Sequence, residues 1–124
     1  MHTFKYYSRP KEEVLSKIEK ELRSEKDVLL AIIFGSFVEL NEYRDVDLAV
    51  YTTRKDLGYL AKLSAKLELE LGIPVDVVPI DEVPVKLRHK ILTKGIIVLE
   101  RVEGIYEALL SQTQDEIYTL NING

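Results

Sequence analysis

The sequence predicts an α/β or α+β fold in which helices pack around a small β-sheet. Three observations predict it. A nearly continuous apolar run, Val28 to Phe34 (VLLAIIF), stops at Gly35; leucines recur every three to four residues from Leu57 to Leu71; and strand-like and helical patterns alternate along the rest of the chain.

Each element can be justified in order. Arg9-Pro10 opens a segment in which Val14, Ile18 and Leu22 recur at helical spacing among Glu and Lys, an amphipathic helix reaching about Ser24 with a solvated charged face. The run from Val28 to Phe34 lacks polar alternation, as expected of a central strand buried on both faces, and Gly35 breaks it. Phe37 to Arg44 is too short and mixed for a full helix. Val46 to Tyr51 (VDLAVY) reads as a second strand. Asp56 is placed to cap a helix carrying Leu57, Leu60, Leu63, Leu67 and Leu71, which Gly72 ends. Pro74 introduces a third strand, Val75 to Ile80. Val83 to Thr93 follows as a helix, and after Gly95 comes a last short strand, Ile96 to Glu100. A final helix is expected from about Val102 to Leu120, before a frayed Asn-Ile-Asn-Gly tail. No repeat, low-complexity tract or linker divides the chain. Residues 1–124 are therefore expected to form one domain, with a core over about 9–101 and a C-terminal helix over about 102–120.

Composition narrows the chemistry. A chain of 124 residues can bury an apolar core without disulfides or a structural metal. There is no Cys, which excludes disulfides, thiolate zinc sites and cysteine nucleophiles, and only His2 and His89 offer imidazole. Any metal must be held by oxygen. No apolar run approaches the roughly 20 residues needed to span a bilayer, and the N-terminus has neither signal nor transit character, so a cytoplasmic location without membrane contact is expected. The net charge of -4 argues against a general nucleic-acid-binding surface. Charged residues make up 31% of the chain while Met and Cys are scarce, a balance found in proteins from hot environments.

The acids carry the functional signal. Strand alternation puts Asp45 and Asp47 on one face, roughly 6 to 7 Å apart, while Val46, Leu48 and Val50 point the other way. The same rule groups Asp76 with Val78 and Ile80, so Asp76 joins the pair if its strand lies beside the second. Three such carboxylates would repel one another by about 1 kcal/mol per pair even in water, and by several times more near a protein surface. The cluster calls for a cation. Magnesium fits, because it takes hard oxygen ligands and completes its octahedron with water and substrate phosphates. Gly35 lets phosphate oxygens approach backbone N–H groups, and Ser36 adds a hydroxyl at the edge of the sheet, the usual ligand position in open α/β sheets.

Taken together, the apolar strand, Gly35-Ser36, the Asp45-x-Asp47 pair at the head of a strand and Asp76 inside a third strand resemble the DNA polymerase beta-type nucleotidyltransferase superfamily. The branch it is most similar to is the minimal nucleotidyltransferases. The resemblance spans about Val28 to Arg101 and includes the closing stretch Ile91 to Glu100. It implies a small mixed sheet flanked by helices, the polymerase beta palm-like fold. It also implies that Gly35 and Ser36 bind the β and γ phosphates of ATP or another nucleoside triphosphate. The matching acids Asp45, Asp47 and Asp76 would be the magnesium ligands, with Asp76 also helping to activate the attacking hydroxyl. Two magnesium ions about 3.5 to 4 Å apart would clamp the attacking and leaving oxygens, with pyrophosphate released and the acceptor adenylylated. The sequence departs from the branch at Phe37, Val38 and Glu39, which stand where Arg-x-Arg-Gly often follows the Gly-Ser. Minimal nucleotidyltransferases are also similar to antitoxins paired with HEPN-domain proteins, so the resemblance implies such a partner as an alternative role, with or without adenylylation. No separate substrate-binding region is visible; recognition of the acceptor would then fall to a partner or to a second copy of the chain.

Blander readings compete. An isolated Asp-x-Asp is more often a solvated strand end than a metal site, and the case rests on the combination. A phosphorylatable receiver domain also gathers acids at strand ends, but its acidic pair after the first strand and its late Lys cannot be placed here. Arg44, Arg54, Lys55, Arg88 and Lys90 are candidates for a cationic rim, against the usual solubilising role of exposed basic residues. His89, between Arg88 and Lys90, reads as a surface histidine, and Tyr106 and Tyr118 as core or, more sharply, as part of a partner-binding face.

Overall fold

The computed structural model describes residue 7 and residues 9–123; His2 and Gly124 lie outside them. Helix α1 (Lys11–Arg23) starts directly after Pro10, and its stripe of Val14, Ile18 and Leu22 is fully buried. The chain then runs through β1 (Val28–Phe34), one helical turn α2 (Ser36–Glu39), β2 (Val46–Thr52), α3 (Leu57–Leu71), β3 (Val75–Pro79), α4 (Val85–Lys94), β4 (Ile96–Glu100) and α5 (Ile105–Asn123).

The four strands form one mixed sheet in the order β3-β2-β1-β4. β1 is antiparallel to both β2 and β4, whereas β2 and β3 run parallel, joined by the α3 crossover. Both faces are covered, which explains the unbroken apolar character of β1. Ala31, Ile33, Leu48, Val50 and Val75 pack with α1 and α3 on one side. Leu30, Ile32, Ala49 and Ile80 pack with Ile91, Leu92 and Leu109 of α4 and α5 on the other.

Caps and clamps hold the elements in place. Asp56 accepts a hydrogen bond from the Tyr59 N–H at 2.8 Å, and Gly72 closes α3 in the left-handed region at φ 69°. Arg101 donates to the carbonyls of Val28, Leu22, Arg23 and Glu25, tying the end of β4 to the C-terminus of α1. Arg88 does the same for α4, donating to the carbonyls of Ile80, Asp81 and Val83 and pairing with Glu116 of α5 at 3.0 Å.

The bounds of α4 and α5 differ from the sequence expectation. α4 starts at Val85 rather than Val83, because a residue before proline is kept out of the helical region and Pro84 follows Val83. α5 starts at Ile105 rather than Val102, after Gly104 at φ 91°, and the Glu100 carboxylate accepts from the Tyr106 N–H at 3.0 Å. The tail expected to fray continues α5 as far as Asn123. Among the described residues no helix is long and apolar enough to cross a membrane.

Candidate active site

The strand directions bring the C-terminal end of β1 and the N-terminal ends of β2, β3 and β4 to one end of the sheet. Gly35, Ser36, Asp45, Asp47 and Asp76 lie there. Asp47 is opposite Phe34 in the β1–β2 ladder and opposite Asp76 in the β2–β3 ladder. Residues paired across strands share a face, so Asp47 and Asp76 stand on the side of Ala49 and Val78, the face that α4 and α5 cover farther along. Asp45 precedes β2 by one residue. Asp76 is exposed and Asp45 and Asp47 are half-buried, so the group is open to solvent.

The electrostatics of the three acids are uncompensated. The Asp47 carboxyl is pushed up from 3.8 to about 6, first by burial and then by the charges of Asp45 and Asp76. Among the described residues no Lys, Arg or His forms an ion pair with any of the three. Nor, among the described residues, do three acidic or imidazole side chains converge into a ready-made cage for a metal ion. That combination suits magnesium, which is commonly bound by one or two carboxylates and completes its shell with water and phosphate oxygens. Zinc, with its closed tetrahedral preference, suits it less.

The bend after β1 lies against Asp47. Gly35 adopts φ 78° and ψ -152°, a conformation essentially reserved for glycine. A Cβ placed there would stand 2.4 Å from Asp47 Oδ2. The bare α-carbon thus lets the carboxylate lie against the backbone. The Gly35 carbonyl accepts from the N–H groups of Val38 and Glu39 at 3.0 and 3.1 Å, closing the single turn of α2. A first helical turn leaves its own N–H groups without intrahelical partners, and here that turn begins at Ser36, beside the acids.

The candidate cationic rim fares unevenly. Arg54 pairs with Asp56 at 3.4 Å and lies over the Tyr59 ring at 4.7 Å; Lys55 pairs with Asp81 at 3.0 Å and lies over Tyr51 at 4.1 Å. Arg88 is spent on the carbonyl clamp described above. Arg44 is exposed in the connector that leads to Asp45. Lys90 borders a cleft of about 180 Å³ between α2 and α4, whose lining also includes Gly35, Glu39 and Lys94. Sequence reasoning missed Lys94. The available signal was its spacing of four from Lys90, which puts both on one face of a helix.

The family model for polymerase beta nucleotidyltransferases matches residues 16–104. Among curated proteins none matches the sequence. Several solved structures share the fold. A chain of the toxin–antitoxin pair MntA–HepT is 23% identical with a TM-score of 0.73, over 90% of this chain and 91% of that one. A chain from the complex of tri-AMPylated Shewanella oneidensis HEPN toxin with its MNT antitoxin is 24% identical with a TM-score of 0.75, over 92% of each. A toxin–antitoxin structure with AMP-PNP is 25% identical with a TM-score of 0.76, over 88% of this chain and 90% of that one. With the matched segment running from α1 past β4 and through the whole acid-and-glycine end of the sheet, the chain belongs to the polymerase beta nucleotidyltransferase family.

Proposed function

We propose that this chain is a single-domain, magnesium-dependent nucleotidyltransferase that transfers AMP from ATP to a hydroxyl group of a protein or small-molecule acceptor. The observation that carries this reading is the contact of Asp47 with the bare α-carbon of Gly35, with Asp76 in register on the next strand. It supports a phosphate site at the bend, beside Asp47.

In this reading Gly35 and Ser36 hold the β and γ phosphates, Ser36 through its hydroxyl and the bend through N–H groups. Asp45 and Asp47 hold magnesium, which when bound neutralises the acids and the phosphate oxygens. Asp76, the most exposed of the three, draws the proton from the acceptor hydroxyl. The acceptor oxygen forms a bond to the α-phosphorus, the bond from that phosphorus to the bridging oxygen breaks, and pyrophosphate departs with the electron pair.

A second reading assigns the chain an antitoxin-like role, neutralising a HEPN-type partner. The likeness to chains from toxin–antitoxin complexes supports it. So does α5, whose Tyr118, Leu120 and Ile122 are 67%, 54% and 63% exposed, more apolar surface than a lone helix end needs. The two roles are separable. The chain and a HEPN-type protein are incubated with labelled ATP and magnesium. Label on the partner, lost with Asp45→Ala, supports transfer; neutralisation that survives Asp45→Ala without labelling supports binding alone.

A further inference from the structure

The geometry points to Lys90 and Lys94 as the seat for the terminal phosphates of the triphosphate, with Glu39 competing for Lys90. The inference rests on the nucleotidyltransferase reading and assigns residues that lie outside the acid and glycine motifs.

Position along the sheet comes first. Asp76 pairs with Asp47, Asp47 with Phe34, and Ile33 with Ile96. The end of the sheet therefore presents, in order, Asp76, Asp47, Gly35 and Gly95, with neighbouring strands about 4.8 Å apart. A triphosphate whose α-phosphorus sits at the acids and whose chain runs past Gly35 must end on the β4 side. That is where the cleft of about 180 Å³ lies, with Gly35, Val38 and Gly95 in its lining and Lys90 and Lys94 contributed by α4.

Charge comes second. The turn after Gly35 contains Phe37, Val38 and Glu39 and supplies no cation. The departing pyrophosphate gathers the electron pair of the broken bond, and cations at its far end stabilise that charge. Among the described residues Lys94 pairs with no acid. Lys90 Nζ stands 3.7 Å from Glu39 Oε1, with both side chains about half exposed at 59% and 49%. So long and solvated a pair is weak and exchangeable. An incoming phosphate displaces Glu39 from Lys90, and Glu39 in turn lowers the affinity of the free protein for nucleotide.

Calorimetric titration with a non-hydrolysable ATP analogue, with pyrophosphate and with AMP, all with magnesium, tests the inference. Lys90→Ala and Lys94→Ala are each expected to weaken analogue and pyrophosphate binding about tenfold, the size of a lost charge-assisted hydrogen bond, and to leave AMP binding unchanged. Lys→Arg at either position should restore most of the loss. Glu39→Gln should tighten analogue binding about two- to threefold, and that gain should vanish in the Lys90→Ala background. A gain of this kind cannot come from misfolding. If the lysine variants bind as the wild type does while Asp45→Ala abolishes binding, the nucleotidyltransferase reading stands and this inference falls. If the wild type binds neither analogue nor pyrophosphate, both fall.

Discussion

A Cβ on Gly35 would stand 2.4 Å from Oδ2 of Asp47, so the bend after β1 and the middle acid of β2 are one unit. Gly35→Ala meets two obstacles there, the collision and the backbone conformation at φ 78°. The conformation alone costs about 1 to 3 kcal/mol. Urea denaturation should show a loss in that range, together with loss of binding to an ATP analogue. Removing the carboxylate in Gly35→Ala/Asp47→Gly relieves the collision but not the backbone strain. The double variant should therefore recover only part of the stability, and full recovery would show that the strain is absent.

Asp47→Asn should stabilise the free protein at neutral pH. The folded carboxyl titrates near 6 against an ordinary value of 3.8. The native state thus binds more protons than the unfolded chain between these values, and stability falls as pH rises from about 4 to 6. Above 6 the loss is complete. Linkage sets an upper bound of about 3 kcal/mol, which partial exposure reduces to about 1 to 2 kcal/mol. Denaturation in EDTA at pH 4, 5 and 7.5 checks this: Asp47→Asn should flatten the pH profile and exceed the wild type only at the higher values. An equal or lower stability at pH 7.5 would refute it.

Magnesium with an ATP analogue should raise the melting temperature of the wild type by several degrees at saturating ligand, because only the folded state gathers the acids. Asp45→Ala and Asp76→Ala should fold and lose most of that increase. A thermal shift that persists in Asp45→Ala would remove the acids from the binding site.

Arg101→Ala should unfold the chain more easily without touching the chemistry. Its guanidinium donates to four carbonyls at 2.9 to 3.2 Å, among them those that end α1. Stranding those acceptors should cost about 2 to 4 kcal/mol. Nucleotide affinity measured well below the melting temperature should be unchanged.

Much of this arrangement was legible in the residues because the signals were local. Val28 to Phe34 and Ile96 to Glu100 coincide with β1 and β4, since an apolar run bounded by glycine leaves little choice. The grouping of Asp76 with Val78 and Ile80 follows from strand alternation alone. Its meeting with Asp47 did not follow, because the parallel pairing of β2 with β3 is a tertiary fact set by the α3 crossover. The cationic rim was the least legible part. Arg88 and Lys55 are drawn away by Glu116 and Asp81, partners 28 and 26 residues distant, and no local pattern announces such pairs. Lys94 gains its interest only from the cleft that α2 and α4 form together.

The most direct test is a crystal of the chain soaked with magnesium and a non-hydrolysable ATP analogue. The account predicts the β and γ phosphates against Gly35 and Ser36, and magnesium on Asp45 and Asp47 with Asp76 facing the α-phosphorus. Nucleotide bound elsewhere on the chain, or bound at the bend with no metal on either Asp45 or Asp47, would contradict it.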